Sequence, residues 1–155
     1  MAYSLSEWAE MSWWGTLVRE STMGFAIASV FLLFGLTLLL GGILLMSLRL
    51  FGLIMKDRPV PDVARDLRAW TLVGLALTLV AGPSMWAGTA LRYYDSSAFW
   101  LEQQFLAVAI VFHFSLWEWV IRKDDAPALL RAFTGALALF LWFGVGVMGR
   151  AIGFF

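Results

Sequence analysis

"STMGFAIASVFLLFGLTLLLGGILLMSL" (residues 21–48) decides the fold. Twenty-eight residues pass without a charge. A helix needs roughly 20 mostly apolar residues to cross a bilayer core of about 30 Å. A surface helix of a soluble domain keeps a polar face, and this stretch has none. It reads as a membrane span over about residues 24–46. Arg49 follows, and the chain turns apolar again through Leu50, Phe51, Leu53, Ile54 and Met55. Since the span is complete by Met46, Arg49 falls at the boundary, where its stem can snorkel. The helix is predicted to continue to about Met55, beyond the bilayer core.

The rest of the chain agrees. It has 155 residues, 61% of them hydrophobic, and a mean hydropathy of +0.81. Soluble domains are about 45–50% apolar. Three further spans are predicted at about 69–91, 98–121 and 129–152. All are apolar on every side with no period of two, which argues against a barrel. The expected class is all-α: an integral membrane four-helix bundle forming one domain over 1–155. Ahead of it, "SLSEWAEMSWWGTLVRES" (4–21) is too short and too charged to span. It is expected to form an interfacial amphipathic helix over about 4–20, with Leu5, Trp8, Trp14, Leu17 and Val18 on one side and tryptophans at headgroup level. Glu7, Glu10, Arg19 and Glu20 do not fit a removable signal peptide.

Polar segments join the spans: "KDRPVPDVARDLR" (56–68), "RYYDSS" (92–97) and "RKDDAPA" (122–128). Asp124 and Asp125 before Pro127 make a good start for the last helix. Arg49, Lys56, Arg58, Arg65, Arg68, Arg122, Lys123 and Arg131 lie at one end of the spans, and Arg19, Arg92 and Arg150 at the other. Eight against three places the first group in the cytoplasm. Both termini are then outside, and a bacterial cytoplasmic membrane is the expected location.

Eleven basic residues balance eleven acidic ones, so no net field attracts nucleic acid. The absence of cysteine excludes disulfides, thiolate metal sites, iron–sulfur clusters and cysteine nucleophiles. The single histidine excludes a haem held by two histidines of this chain. No phosphate loop, dinucleotide fingerprint, nucleophile elbow or HExxH is present, and the seven methionines are scattered. An enzyme is not expected.

His113, in "AIVFHFSLWEW", is the principal candidate. It lies nine residues before Arg122, so about 13 Å deep at 1.5 Å per residue. Ionisable groups inside a membrane are functional hypotheses by default. A neutral histidine can bond a neighbouring helix, ligate one metal, or give one axial bond to a tetrapyrrole. Ala109, one turn earlier, leaves space for a flat ring, and Trp117 lies one turn later. Glu118 is read either as an i,i+4 partner of Arg122 or as an inward ion-pair partner of Arg49. Glu102, with Gln103 and Gln104, complements the dipole at the start of span 3; a quinone or lipid headgroup contact is the alternative. Pro83 is expected to kink span 2. Small residues mark expected packing seams: Gly35, Gly41 and Gly42 in span 1, Gly74, Thr78 and Gly82 in span 2, and Ala128, Ala132, Ala136, Gly149 and Gly153 in span 4. They serve the bundle or a docked subunit equally well.

"TLVRES", "FGLTLLLGGILLMSLRLFGL", "LRAWTLVGLALTLVAG" and "ALRYYDSSAFW" resemble a family of small, uncharacterised bacterial four-helix membrane proteins, distantly similar to the membrane domain of CopD copper-resistance proteins. The resemblance covers about residues 8–110. It implies a histidine where Leu32 stands, an aspartate at Ser47, a second histidine near Trp117 and a lysine at Glu102. This chain departs at each. If those polar groups bind haem or metal in relatives, the site is largely lost here. The expected function is therefore a non-catalytic accessory or structural subunit of a larger membrane complex, respiratory or photosynthetic, contacting lipid and other subunits or its own copies. The alternative is a small module that binds copper, a tetrapyrrole or a quinone around His113.

Overall fold

A computed structural model describes residues 2–88, 90–91 and 96–151. The described residues are helical with no strand, and four helices are long and apolar enough to cross a membrane. In chain order they form α1 (Ala2–Met11), α2 (Trp13–Glu20), α3 (Thr22–Leu50), α4 (Val60–Gly88), α5 (Ser97–Phe112), a π-helical segment (His113–Trp117), α6 (Glu118–Ile121) and α7 (Ala128–Ala151). α5, the π segment and α6 together make the third span.

Helix α3 begins at a cap, where Ser21 Oγ accepts from the Gly24 amide at 3.0 Å. It ends at Leu50 and does not reach Met55 as the apolar run suggested. The Gly52 amide donates to the Arg49 carbonyl at 2.9 Å, and the Leu53 amide donates to the Leu48 carbonyl at 3.0 Å. Gly52 has φ +70°. This paired closure with a left-handed glycine is a Schellman stop. Phe51 then folds back so that its ring lies over Gly135 of α7.

Helix α4 starts nine residues before the expected span. The charges of residues 60–68 suggest a loop, yet Val60, Val63 and Ala64 are buried and Leu67 packs on the core. That i, i+3, i+4, i+7 spacing is a helix face. Asp124 plays an unexpected part here. Its Oδ1 accepts from the Val60 amide at 3.1 Å, so it caps α4 and ties the two loops at this end together. α7 starts beyond Pro127, whose carbonyl accepts from the Arg131 amide.

The predicted interfacial helix is two helices broken at Ser12. Ser12 Oγ accepts from the Gly15 amide at 3.1 Å and caps α2. The arm is docked on the end of α4. Val18 packs against Gly88, and Gly15 lies so close to Ala87 that an added Cβ would come within 2.8 Å of that carbonyl. Glu10 Oε2 accepts from the Leu91 amide at 2.9 Å, and Glu10 pairs with Arg19. Trp8 and Leu17 face outward while Val18 is buried, so these three do not share a side. The side chains of Leu5 and Trp14 lie outside the described residues.

The spans pack in the order α4, α3, α7, α5. α3 and α4 approach most closely. A Cβ at Gly74 would meet the Leu39 amide at 2.5 Å and the Gly35 carbonyl at 2.7 Å; one at Gly35 would meet Thr78 at 2.8 Å. Gly42 is pressed against Thr71. The Thr71 and Thr78 hydroxyls donate to carbonyls of their own helix, so their oxygens lie on the seam with their donors already used. Gly41 and Gly82 were expected on this seam, but a Cβ at either would meet nothing within 4 Å. α4 and α5 do not pack along their lengths. α4 meets the third span near its two ends: Trp86 stacks on Phe99 of α5 with centroids 6.5 Å apart, and Arg68 pairs with Glu118 of α6.

Candidate functional site

The third span builds the site. A π-helical turn arises where a backbone bond spans five residues instead of four, and such turns recur at functional sites. Here the Glu118 amide donates to the His113 carbonyl. In an unbroken α-helix, positions five apart point about 140° away from each other. The wider turn draws His113 and Glu118 toward one direction, and both line the same crevice with Arg68, Thr71, Met46 and Gly42. The crevice has a volume of about 30 Å³.

His113 is 5% exposed. Trp117 lies nearly parallel to its ring at 6.1 Å and 23°. Trp142 of α7 meets it edge-on at 5.9 Å, and Phe114 meets it edge-on at 5.2 Å. Nδ1 is enclosed without a hydrogen-bond partner. The expected bond from His113 to a neighbouring helix is therefore not made at that atom. Ala109 is fully buried, and the flat face of the imidazole is covered by Trp117. A tetrapyrrole has no room in this arrangement, since sites for ligands of that size run to about 300 Å³ or more. Among the described residues no group of three or more metal-ligating side chains comes together.

Glu118 is not the partner of Arg49. Its Oε1 accepts from Arg122 at 2.7 Å and lies 3.1 Å from Arg68 Nη2. The i,i+4 pairing with Arg122 is present, and the second arginine comes from α4. Arg49 donates through Nε and Nη2 to the Arg58 carbonyl at 3.1 and 2.6 Å, and Arg58 pairs with Asp66 at 2.7 Å. Arg49 therefore braces the loop that follows its own helix. Ser47 is fully buried with no partner for its hydroxyl.

Residues 5–155 match a family model. The chain belongs to DUF6644, a family of unknown function. No curated protein and no solved structure matches it. Kinship with an uncharacterised family thus stands for this DUF6644 chain; the match carries no likeness to the CopD membrane domain.

The other candidates are scattered. Glu102 is the sixth residue of α5 and reaches across to α7, where a Cβ at Gly149 would come within 2.6 Å of its Oε1. Gly149 makes room for a carboxylate, and Gly153 lies outside the described residues. Ala128 and Ala136 are exposed and Ala132 half-buried, so that row faces away from the bundle. Sequence reading missed Arg68 as the partner of Glu118, because charges in 60–68 were assigned to a loop. It also missed the π turn, which has no composition signature.

Proposed function

We propose that this DUF6644 chain is a non-catalytic accessory subunit of a larger membrane assembly, respiratory or photosynthetic, in a bacterial cytoplasmic membrane. The reading takes the Arg68–Glu118 end to be cytoplasmic and both termini to be outside. One observation carries it: the charged groups around the candidate site are engaged in joining helices and loops. Glu118 links α4 to the third span, Arg49 braces the following loop, and Asp124 caps α4. Among the outward-facing surfaces is the row Ala128, half-buried Ala132 and Ala136, flanked by exposed Leu129 and Phe133. Small residues allow close approach of another helix. Mild detergent extraction of the tagged chain should retain stoichiometric partner subunits, and Ala136→Trp should release them while the chain stays helical. Recovery of a monomer carrying a stoichiometric cofactor would overturn the proposal.

A second reading, a module binding copper, a tetrapyrrole or a quinone, is favoured by His113 alone, a buried imidazole with a partnerless nitrogen. It requires the crevice to open well beyond its present volume. An absorption spectrum of the purified protein that does not change on His113→Ala would remove the pigment form of this reading.

A further inference from the structure

The crevice beside His113 meets two conditions that are rarely met together inside a bilayer. It is roomy enough for water: a cavity needs about 10–15 Å³ to hold one molecule, and this one measures about 30 Å³. It is also polar enough. A buried water needs about two to four polar partners, and Arg68, Thr71, His113 and Glu118 all line the wall. Thr71 Oγ1 donates to the Leu67 carbonyl, which leaves its lone pairs to accept. Arg68 is half-exposed, with its side chain 51% accessible, while Glu118 is at 17% and His113 at 5%. Accessibility thus falls from the loop end of the crevice to the imidazole. With Nδ1 enclosed, Nε2 is the ring atom through which His113 can be met from the space it lines.

We propose that the crevice is a hydration port: a site for one or two water molecules that connects His113 Nε2 to the solution at the Arg68–Glu118 end. A proton bound at Nε2 is taken from this water and returned to it, with no net chemistry. The charged groups facing the port are few. α4 contributes Arg68, and the third span contributes Glu118 with Arg122 behind it. α3 contributes only Gly42 and Met46. α7 contributes the uncharged Trp142 against the ring; its Arg131 lies in the first turn, 11 residues earlier. The port goes beyond the accessory reading and does not depend on which subunits the chain joins.

The chain supplies its own reference. His113 is its single histidine, so the imidazole gives one set of signals. Trp142 touches His113 and its Nε1 is buried without a partner, but it does not line the crevice. Full-length protein labelled at histidine and tryptophan is placed in lipid nanodiscs, and NMR magnetisation transfer from water to each ring is measured. Trp142→Phe assigns the indole. Transfer to His113 should exceed transfer to Trp142 at least fivefold. Leu72→Trp, which fills the crevice from α4, should bring it down to the Trp142 level; Leu67→Phe does the same should the first variant lose its helical content. Equal transfer to both rings in the wild type overturns the port. So does strong transfer to His113 that persists in the folded filling variant, since water then arrives by another route.

Discussion

Glu118 accepts from two arginines, and the two contacts differ in kind. Arg122 sits one turn away on the same helix with its side chain 63% exposed. Arg68 comes from another span. An exposed i,i+4 pair contributes about 0.3–0.5 kcal/mol. Arg122→Gln should therefore shift stability by no more than that. Glu118→Gln removes the negative charge from both pairs, although its amide oxygen can still accept from either arginine. A loss of about 1 kcal/mol is expected, discounted for the half-exposed guanidinium. Reversible unfolding in mixed detergent micelles distinguishes the two variants. Gly52 offers an independent test. It sits at φ +70°, where a side chain costs roughly 1–2 kcal/mol. Gly52→Ala should destabilise by about that amount although it touches no neighbour, because a Cβ there meets nothing within 4 Å.

At the scale of elements, close approach concentrates on one seam. Gly74 faces the backbone of α3, where neither the Leu39 amide nor the Gly35 carbonyl can move without shifting the helix. Gly74→Ala should destabilise by about 1–3 kcal/mol through overpacking. Gly41→Ala and Gly82→Ala should be neutral or stabilise by up to about 1 kcal/mol, because only helix propensity changes. Thermal melts of the three variants in one detergent decide it. The same contrast shows what was legible in sequence. The small residues were visible, but the face each would occupy was not, since an all-round apolar helix has no polar side to fix its rotation. The spans themselves were legible because hydrocarbon thickness sets their length. The start of α4 was not. Arg65, Asp66 and Arg68 outweighed the spacing of Val60, Val63, Ala64 and Leu67, although that spacing was already a helix signal. Glycine at position 52 is likewise a stop signal in the sequence, masked by the apolar run that continues past it. His113 and Glu118 were both singled out from sequence. Their meeting in one crevice depends on the π turn, a backbone choice that no residue type announces.

At the scale of the molecule, the bundle is unevenly closed. α3 lies along α4 through a glycine seam, whereas α4 and α5 meet at Trp86–Phe99 and, through α6, at Arg68–Glu118. In a bilayer no hydrophobic effect draws two spans together, because lipid tails are as apolar as the side chains they would replace. Close packing and polar contacts must therefore hold each pair, and the α4–α5 side has few of either. The chain contains no cysteine, so paired spin labels can be introduced without background. Leu44 with Val73 reports across α3 and α4; Val73 with Val111 reports across α4 and α5, and all three positions are exposed. Pulsed distance measurements in nanodiscs should give a narrow distribution for the first pair and a broader one for the second. Glu118→Gln should broaden only the second pair further, since it takes the charge out of the contact at one end and leaves the glycine seam intact. Equal widths in both pairs, unchanged by the substitution, would mean that α4 and α5 are held along their length by lipid or by contacts other than these two. The crevice beside His113 would then be a fixed wall of the bundle, and a ligand larger than water could not enter between those helices.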